Sequence, residues 1–206
     1  MKSQAGRWDP NVQSWVQDDV TSPCIDAGDP NSDWSDEIWP HGKRINMGAY
    51  GGTTQTSMSL SQIGYARDMN NDGLITWDDI LLLVDKWNSK NMPLKQDLNL
   101  DGKVDVNDLE FYNDWSTDVN NTAPVFEPIE DKYIITGNEL SFSVSATDTD
   151  GDELIYIAAG LPNGAEFSEQ TFTWTPEHTG IFSVIFIVSD YKSVSYINIK
   201  ISVNKQ

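Results

Sequence analysis

Two twelve-residue segments constrain this chain more than anything else in it. Asp68–Asp79 reads DMNNDGLITWDD, and Asp97–Asp108 reads DLNLDGKVDVND. Each places an oxygen-bearing side chain at positions one, three, five and twelve, with glycine at position six. That spacing wraps a short loop around a calcium ion, and the glycine permits the sharp turn. The first loop offers Asp68, Asn70, Asp72 and Asp79, with the Leu74 carbonyl at position seven and Thr76 at position nine. The second offers Asp97, Asn99, Asp101 and Asp108, with the Lys103 carbonyl and Asp105 at position nine. One D-x-N-x-D-G stretch is equally an ordinary polar turn. Two in the same register, each with an apolar residue at position eight (Ile75, Val104), favour the metal. Each loop also carries four acids, offset only by Lys103. Like charges packed so closely call for a divalent cation. The sequence therefore predicts two calcium ions.

The flanks of the loops differ from those of an EF-hand, which has a helix entering and a helix leaving. The residues ahead of the first loop are interrupted by Gly64, and those ahead of the second by Pro93. Only exiting helices are expected. Ile80, Leu83, Val84 and Trp87 follow the helical i, i+3, i+4, i+7 rule after the first loop. Leu109 with Tyr112, and Phe111 with Trp115, give a shorter stripe after the second. Position twelve is Asp in both loops, and the loops begin 29 residues apart.

This combination resembles a dockerin, the duplicated calcium-loop-plus-helix module of secreted polysaccharide-degrading systems, over residues 65–117. The resemblance implies a small all-α module that binds a cohesin-like partner on another extracellular protein. It also implies that loop positions ten and eleven choose the partner. Here those are Trp77 with Asp78, and Val106 with Asn107, where small hydroxyl residues are usual in the family. Trp77 is expected to anchor an exposed docking face, against a cohesin-like module or the chain's own C-terminal domain; packing in its own core is the open alternative. Trp87 lies eight residues after Asp79 and Trp115 seven after Asp108. At about 100° per residue they cannot take equivalent places, which argues against two interchangeable binding orientations.

The 206 residues carry a net charge of −19. Such a surface has no basic patch to displace phosphate counterions, so nucleic acid is excluded as a partner. The 8 Trp, 7 Tyr and 7 Phe argue for packed cores rather than disorder. Cys24 is the only cysteine, so no intrachain disulfide or CxxC site exists; it reads as a small buried residue. No run of eighteen apolar residues marks a membrane span. The start lacks the apolar core of a secretory signal. Weak calcium sites need a calcium-rich compartment, so the chain reads as the C-terminal part of a longer exported protein, extracellular or at the cell surface.

Three segments follow: 1–60, 61–118 and 119–206. The first has only seven Val, Ile or Leu and no lasting periodicity, so it is expected to lean on further structure. Its strings TSPCIDAGDP (Thr21–Pro30) and RINMGAYGGT (Arg44–Thr53) resemble the C-terminal end of pectate-lyase-like right-handed parallel β-helix proteins, over residues 18–54. Trp8, Trp15, Trp34 and Trp39 then read either as cover for the end of the helix or as a sugar-stacking platform.

From Val125 onward the pattern alternates with period two. Phe142, Val144 and Ala146 alternate with serines, and Phe182, Val184, Phe186 and Val188 share a face, as do Ile197, Ile199, Ile201 and Val203. About seven strands predict an all-β immunoglobulin/cadherin-like sandwich. The strings NTAPVF, DTDGDELIY and FTWTPEHTG resemble bacterial cadherin-like and immunoglobulin-like modules, over residues 121–204. That resemblance implies a third, weaker calcium site at Asp148, Asp150 and Asp152, with Glu130 as a further candidate. A plain acidic hairpin turn is the alternative.

No catalytic residue is expected. His41 and His178, the only histidines, stand in turns without a nucleophile or metal-ligand spacing and read as surface residues. The leading functional expectation is a non-catalytic calcium-binding region for docking, assembly or surface attachment. The alternatives are the accessory tail of a polysaccharide lyase or glycoside hydrolase whose catalytic β-helix lies upstream, and a carbohydrate-binding module using Trp34, Trp39 or Trp77.

Overall fold

In the computed structural model the chain forms two compact units, Met1–Phe111 and Tyr112–Gln206. The structure describes residues 1–62, 65–90, 93–113, 115 and 118–205. Gly64, expected to interrupt an entering helix, lies outside the described residues, as do Ser116 and Thr117 at the end of the dockerin-like stretch.

The first unit begins with a short antiparallel hairpin, β1 (Arg7–Asp9) and β2 (Ser14–Val16). Trp8 stands opposite Trp15, with ring centroids 5.9 Å apart and edge to face. The rest of residues 1–60 is turn and bend. A segment poor in aliphatic side chains cannot hold itself by apolar burial, and here a buried polar network does so instead. The Glu37 carboxylate accepts from the Asn46 and Gly52 amides at 2.8 Å each. The Asn46 side chain donates to Thr56 Oγ1 and the Ser57 carbonyl. Asp26 accepts from the Gly42 amide and the Ser59 hydroxyl. Gly51 is glycine because a Cβ there would run into the Asn46 carbonyl. Among the described residues the one parallel strand pairing lies in the second unit. The strings at Thr21–Pro30 and Arg44–Thr53 are joined by the Gly28 amide donating to the Ile45 carbonyl and the Met47 amide to the Cys24 carbonyl, each at 2.8 Å.

Neither loop is preceded by a helix among the described residues, and each is followed by one. These are α1 (Trp77–Asp85) and α2 (Val106–Leu109), the latter continued by a 3-10 turn over Glu110–Tyr112. They are too short to make the module all-α; the described chain is mostly β. The adjacent aromatics Phe111 and Tyr112 lose side-chain freedom in a helix and are poor at extending one.

The second unit is a β-sandwich. Its strands are β3 (Val125–Phe126), β4 (Lys132–Ile135), β5 (Leu140–Ser143), β6 (Ala146–Thr147), β7 (Ile155–Ala159), β8 (Glu166–Ser168), β9 (Thr171–Trp174), β10 (Gly180–Ser189) and β11 (Val194–Asn204). One sheet has the order β4-β11-β10-β7; opposing it are β5-β9-β8 and the pair β3-β6. In β10 and β11, Phe186 lies opposite Ile197, Val184 opposite Ile199 and Phe182 opposite Ile201. Alternate side chains therefore face the core, as the period-two pattern requires. Phe172, Val184, Phe186 and Ile201 are completely buried there.

Candidate metal centres

Both twelve-residue segments fold into the same hydrogen-bonded cradle. At position twelve, Asp79 Oδ1 accepts from the Met69 and Asn70 amides at 2.8 and 3.2 Å, and Oδ2 accepts from the Thr76 amide at 2.8 Å. Asp108 repeats this with the Leu98, Asn99 and Asp105 amides, at 2.7, 3.2 and 2.8 Å. At position one, Asp68 Oδ2 accepts from the Gly73 amide and Asp97 Oδ2 from the Gly102 amide. Position four is left-handed in both loops, at Asn71 (φ 61°) and Leu100 (φ 60°), as is the glycine at position six. For Leu100 this conformation carries a steric cost, which the closed ring of hydrogen bonds imposes.

The same residues also start the helices. Thr76 and Asp105, at position nine, are the N-caps of α1 and α2, and Asp79 and Asp108 complete the reciprocal capping boxes. Loop closure and helix initiation are thus one event. T-x-x-D and D-x-x-D before an apolar run carried that signal in the sequence.

Burial gives the cradle its electrostatic character. Asp68, Asp79, Asp97 and Asp108 are all nearly inaccessible to solvent. Asp68 Oδ1 is buried with no hydrogen-bond partner. Desolvation pushes the Asp97 carboxyl up to about 6, with Asp108 and Asp101 adding like-charge repulsion against the opposing Gly102 amide. Desolvation likewise raises Asp79 and Asp108, against three backbone donors each. A donor set of carboxylates, one amide oxygen and one backbone carbonyl per loop is a hard-oxygen set suited to Ca²⁺. Carboxylate oxygens that accept one or two N–H bonds retain lone-pair capacity for a cation. These residues fit the ion, which would neutralise the buried charge.

A pH dependence follows. With its folded pKa raised above the ordinary value of about 4, Asp97 favours the metal-free fold when protonated. That contribution is present below about pH 4 and lost as pH rises through about 6. A calcium ion would need the carboxylate, so any affinity of the second loop for it would run the other way. Calorimetry at pH 5 and pH 7 is expected to show binding about tenfold weaker at pH 5. Equal affinity at the two values would contradict the burial of Asp97.

The positions assigned to partner choice come out differently. Trp77 is only 7% exposed, in line with buried Ile80 and Leu83. This corrects the expectation of an exposed aromatic anchor. Its spacing to Ile80 (i+3) and Val84 (i+7) put it on the apolar stripe, and burying an indole is worth more than displaying it. Trp77 is withdrawn from a sugar-stacking surface for the same reason. Asp78 and Asn107 are exposed and Val106 is half-buried. The outward side of α1 carries Leu81 and Leu82, both over a third exposed. His41 is also a correction: it is 4% exposed, and its ring lies 4.7 Å from that of Trp34, tilted by 46°. Burial, then nearby Lys43, holds its imidazole below the usual range. His178 is exposed as expected, and Cys24 is free and half-buried.

In the sandwich, Asp148, Asp150 and Asp152 bring one carboxylate oxygen each to within 4.8 Å of the others. Asp148 Oδ2 is buried without a partner, as is Asn121 Oδ1. Lys192 Nζ sits 2.7 Å from Asp152, so an ammonium already offsets part of the charge. Glu130 is exposed and outside the cluster.

No family model and no curated protein matches the chain. Among solved structures it is similar to human protocadherin-24 EC1-2, at 23% identity over 41% of this chain and 44% of that one, with a TM-score of 0.33. It is similar to Drosophila N-cadherin EC1-4, at 14% identity over 41% and 25%, with a TM-score of 0.35. It is also similar to the SrpA adhesin of Streptococcus sanguinis, at 20% identity over 43% and 60%, with a TM-score of 0.36. The chain spans less than two thirds of each of these structures. No helix among the described residues is long and apolar enough to cross a membrane.

Proposed function

We propose that this chain is a non-catalytic, calcium-binding region of an exported protein that serves docking or surface attachment. Each loop of the first unit holds one calcium ion, and the β-sandwich acts as a spacer or adhesion domain with a weaker third site at Asp148, Asp150 and Asp152. The observation that carries this reading is the repeated carboxylate cradle, with Asp68 Oδ1 buried and unpartnered inside it. An extracellular setting suits it, since loops with Asp rather than Glu at position twelve fit a calcium-rich medium. The surface offered to a cohesin-like module is then the exposed side of α1, with Asp78, Leu81 and Leu82, rather than Trp77.

Calcium titration by calorimetry tests this. The wild-type chain is expected to bind two ions in the first unit. Asp72→Ala and Asp101→Ala are each expected to remove one of them. No heat of binding, or an unchanged stoichiometry in both variants, would refute the assignment.

A further inference from the structure

We infer that the first calcium loop clamps the chain's own N-terminal segment, so that calcium controls the order of residues 33–42; this rests on the calcium reading above. The grip centres on one backbone group. The Ser35 carbonyl accepts from Asn71 Nδ2 at 3.2 Å and from Lys95 Nζ at 3.3 Å. Lys95 Nζ donates in addition to the Met69 carbonyl at 2.7 Å. Three stretches far apart in sequence therefore meet at one ammonium: the N-terminal segment, the first loop and the approach to the second.

The apolar and polar burial around this point follows the same seam. Ile38, His41 and Met69 are each less than 5% exposed. Residues 37–41 share the wall of a cavity of ≈ 140 Å³ with Asp68 and Met69 of the first loop, with Lys95, and with residues of the second loop. Trp39, on the N-terminal side of that wall, keeps its indole Nε1 buried without a partner.

The coupling to calcium comes from loop geometry. Met69 and Asn71 are loop positions two and four and are not ligands. Their placement nonetheless depends on the closed ring. The Met69 amide is held by Asp79 Oδ1, and Asn71 is left-handed only because the chain must turn between ligands at Asn70 and Asp72. Without the ion, the carboxylates of the loop repel one another and the ring opens. The Met69 carbonyl and the Asn71 amide then leave Lys95 and Ser35. With the ion they are set in place before the segment docks, so little ordering entropy remains to be lost. The second loop lines the same cavity through Asp97, Leu98 and Leu100, but leucines at its positions two and four offer the Ser35 carbonyl no side-chain donor. Coupling between two sites is reciprocal, so the docked segment raises calcium affinity at the first loop, where the hydrogen-bonded grip lies.

Hydrogen exchange by mass spectrometry on the full chain, with calcium and with chelator, tests the clamp. Exchange over residues 33–42 is expected to slow by about tenfold with calcium, in the range typical of coupled sites. In the double variant Asn71→Gly, Lys95→Met that protection is expected to disappear. Glycine keeps the left-handed backbone there, and methionine keeps most of the stem. Calorimetry should still show two ions bound, with the first loop weakened by a factor similar to the lost protection. Lys95→Arg, which keeps donors and charge, is expected to retain protection. Two ions bound but equal exchange with and without calcium would overturn the clamp and leave the calcium reading intact. Full protection in the double variant would overturn it as well. No ion bound at all would remove the calcium reading and the clamp with it. Should the double variant fail to fold, Lys95→Met alone, set against Lys95→Arg, decides by the same exchange and calorimetry.

Discussion

Chelating calcium from the full chain is expected to lower the melting transition of the first unit by about 20 °C. Two sites, each at a hundredfold excess of free ion over Kd, contribute about 2.7 kcal/mol apiece to the folded state. For a unit of this size each kcal/mol moves the midpoint by about 4 °C. The structural reason is the burial of Asp68, Asp79, Asp97 and Asp108 in a unit whose N-terminal half is held by polar contacts. Charges taken out of water in this way destabilise the fold unless paired. Loss of helical circular dichroism should accompany the shift, because Thr76 and Asp105 are N-caps within the same rings. Differential scanning calorimetry in calcium and in chelator checks this. A midpoint that stays put in chelator means that the cradles are polar turns and no more. A calcium-dependent shift confined to the sandwich would instead mark the Asp148 cluster as the principal site.

The second large effect is expected in the sandwich. Phe186→Ala should destabilise it by about 3–5 kcal/mol, the usual loss for a buried phenylalanine. Phe186 is fully buried, and its ring centroid lies 5.8 Å from Phe142, 5.1 Å from Phe167 and 6.1 Å from Phe172. Those rings come from β5, β8 and β9 in the opposing sheet, so truncation opens a void between the layers. Against a total of about 5–15 kcal/mol for a domain, most of the stability would be gone. Ile181 is the matched control. It lies on the same strand but is 74% exposed, and its replacement by alanine should change stability by less than about 0.5 kcal/mol. Urea midpoints of the two variants give the comparison. Similar losses in both would show that the two faces of β10 have been exchanged.

The parts of this protein that the sequence announced are those whose physics is local. A calcium loop gathers its ligands from twelve consecutive residues, so the proposal for Asp68–Asp79 and Asp97–Asp108 is open to reading without any tertiary information. Strand faces repeat every two residues, so Phe182, Val184 and Phe186 declare an inward face before their partner strand is known. The helix cap at Thr76 and Asp79 was equally open to a local reading.

What the sequence left undecided depends on contacts between distant residues. Trp77 could stand outward as a docking anchor or inward beside Ile80 and Leu83, and only the buried stripe of α1 selects the second. His41 looks like a turn residue until Trp34 is folded over it. Residues 1–60 have no periodicity to read, because their order comes from single carboxylates such as Glu37, which collects the amides of Asn46 and Gly52. The link from Lys95 to Ser35 spans 60 residues and has no motif. Local sequence determined which residues can surround an ion and which face of a strand is apolar. The tertiary structure alone decided what lies against those loops, because a hydrogen bond across such a separation depends on the path of the whole chain between its ends.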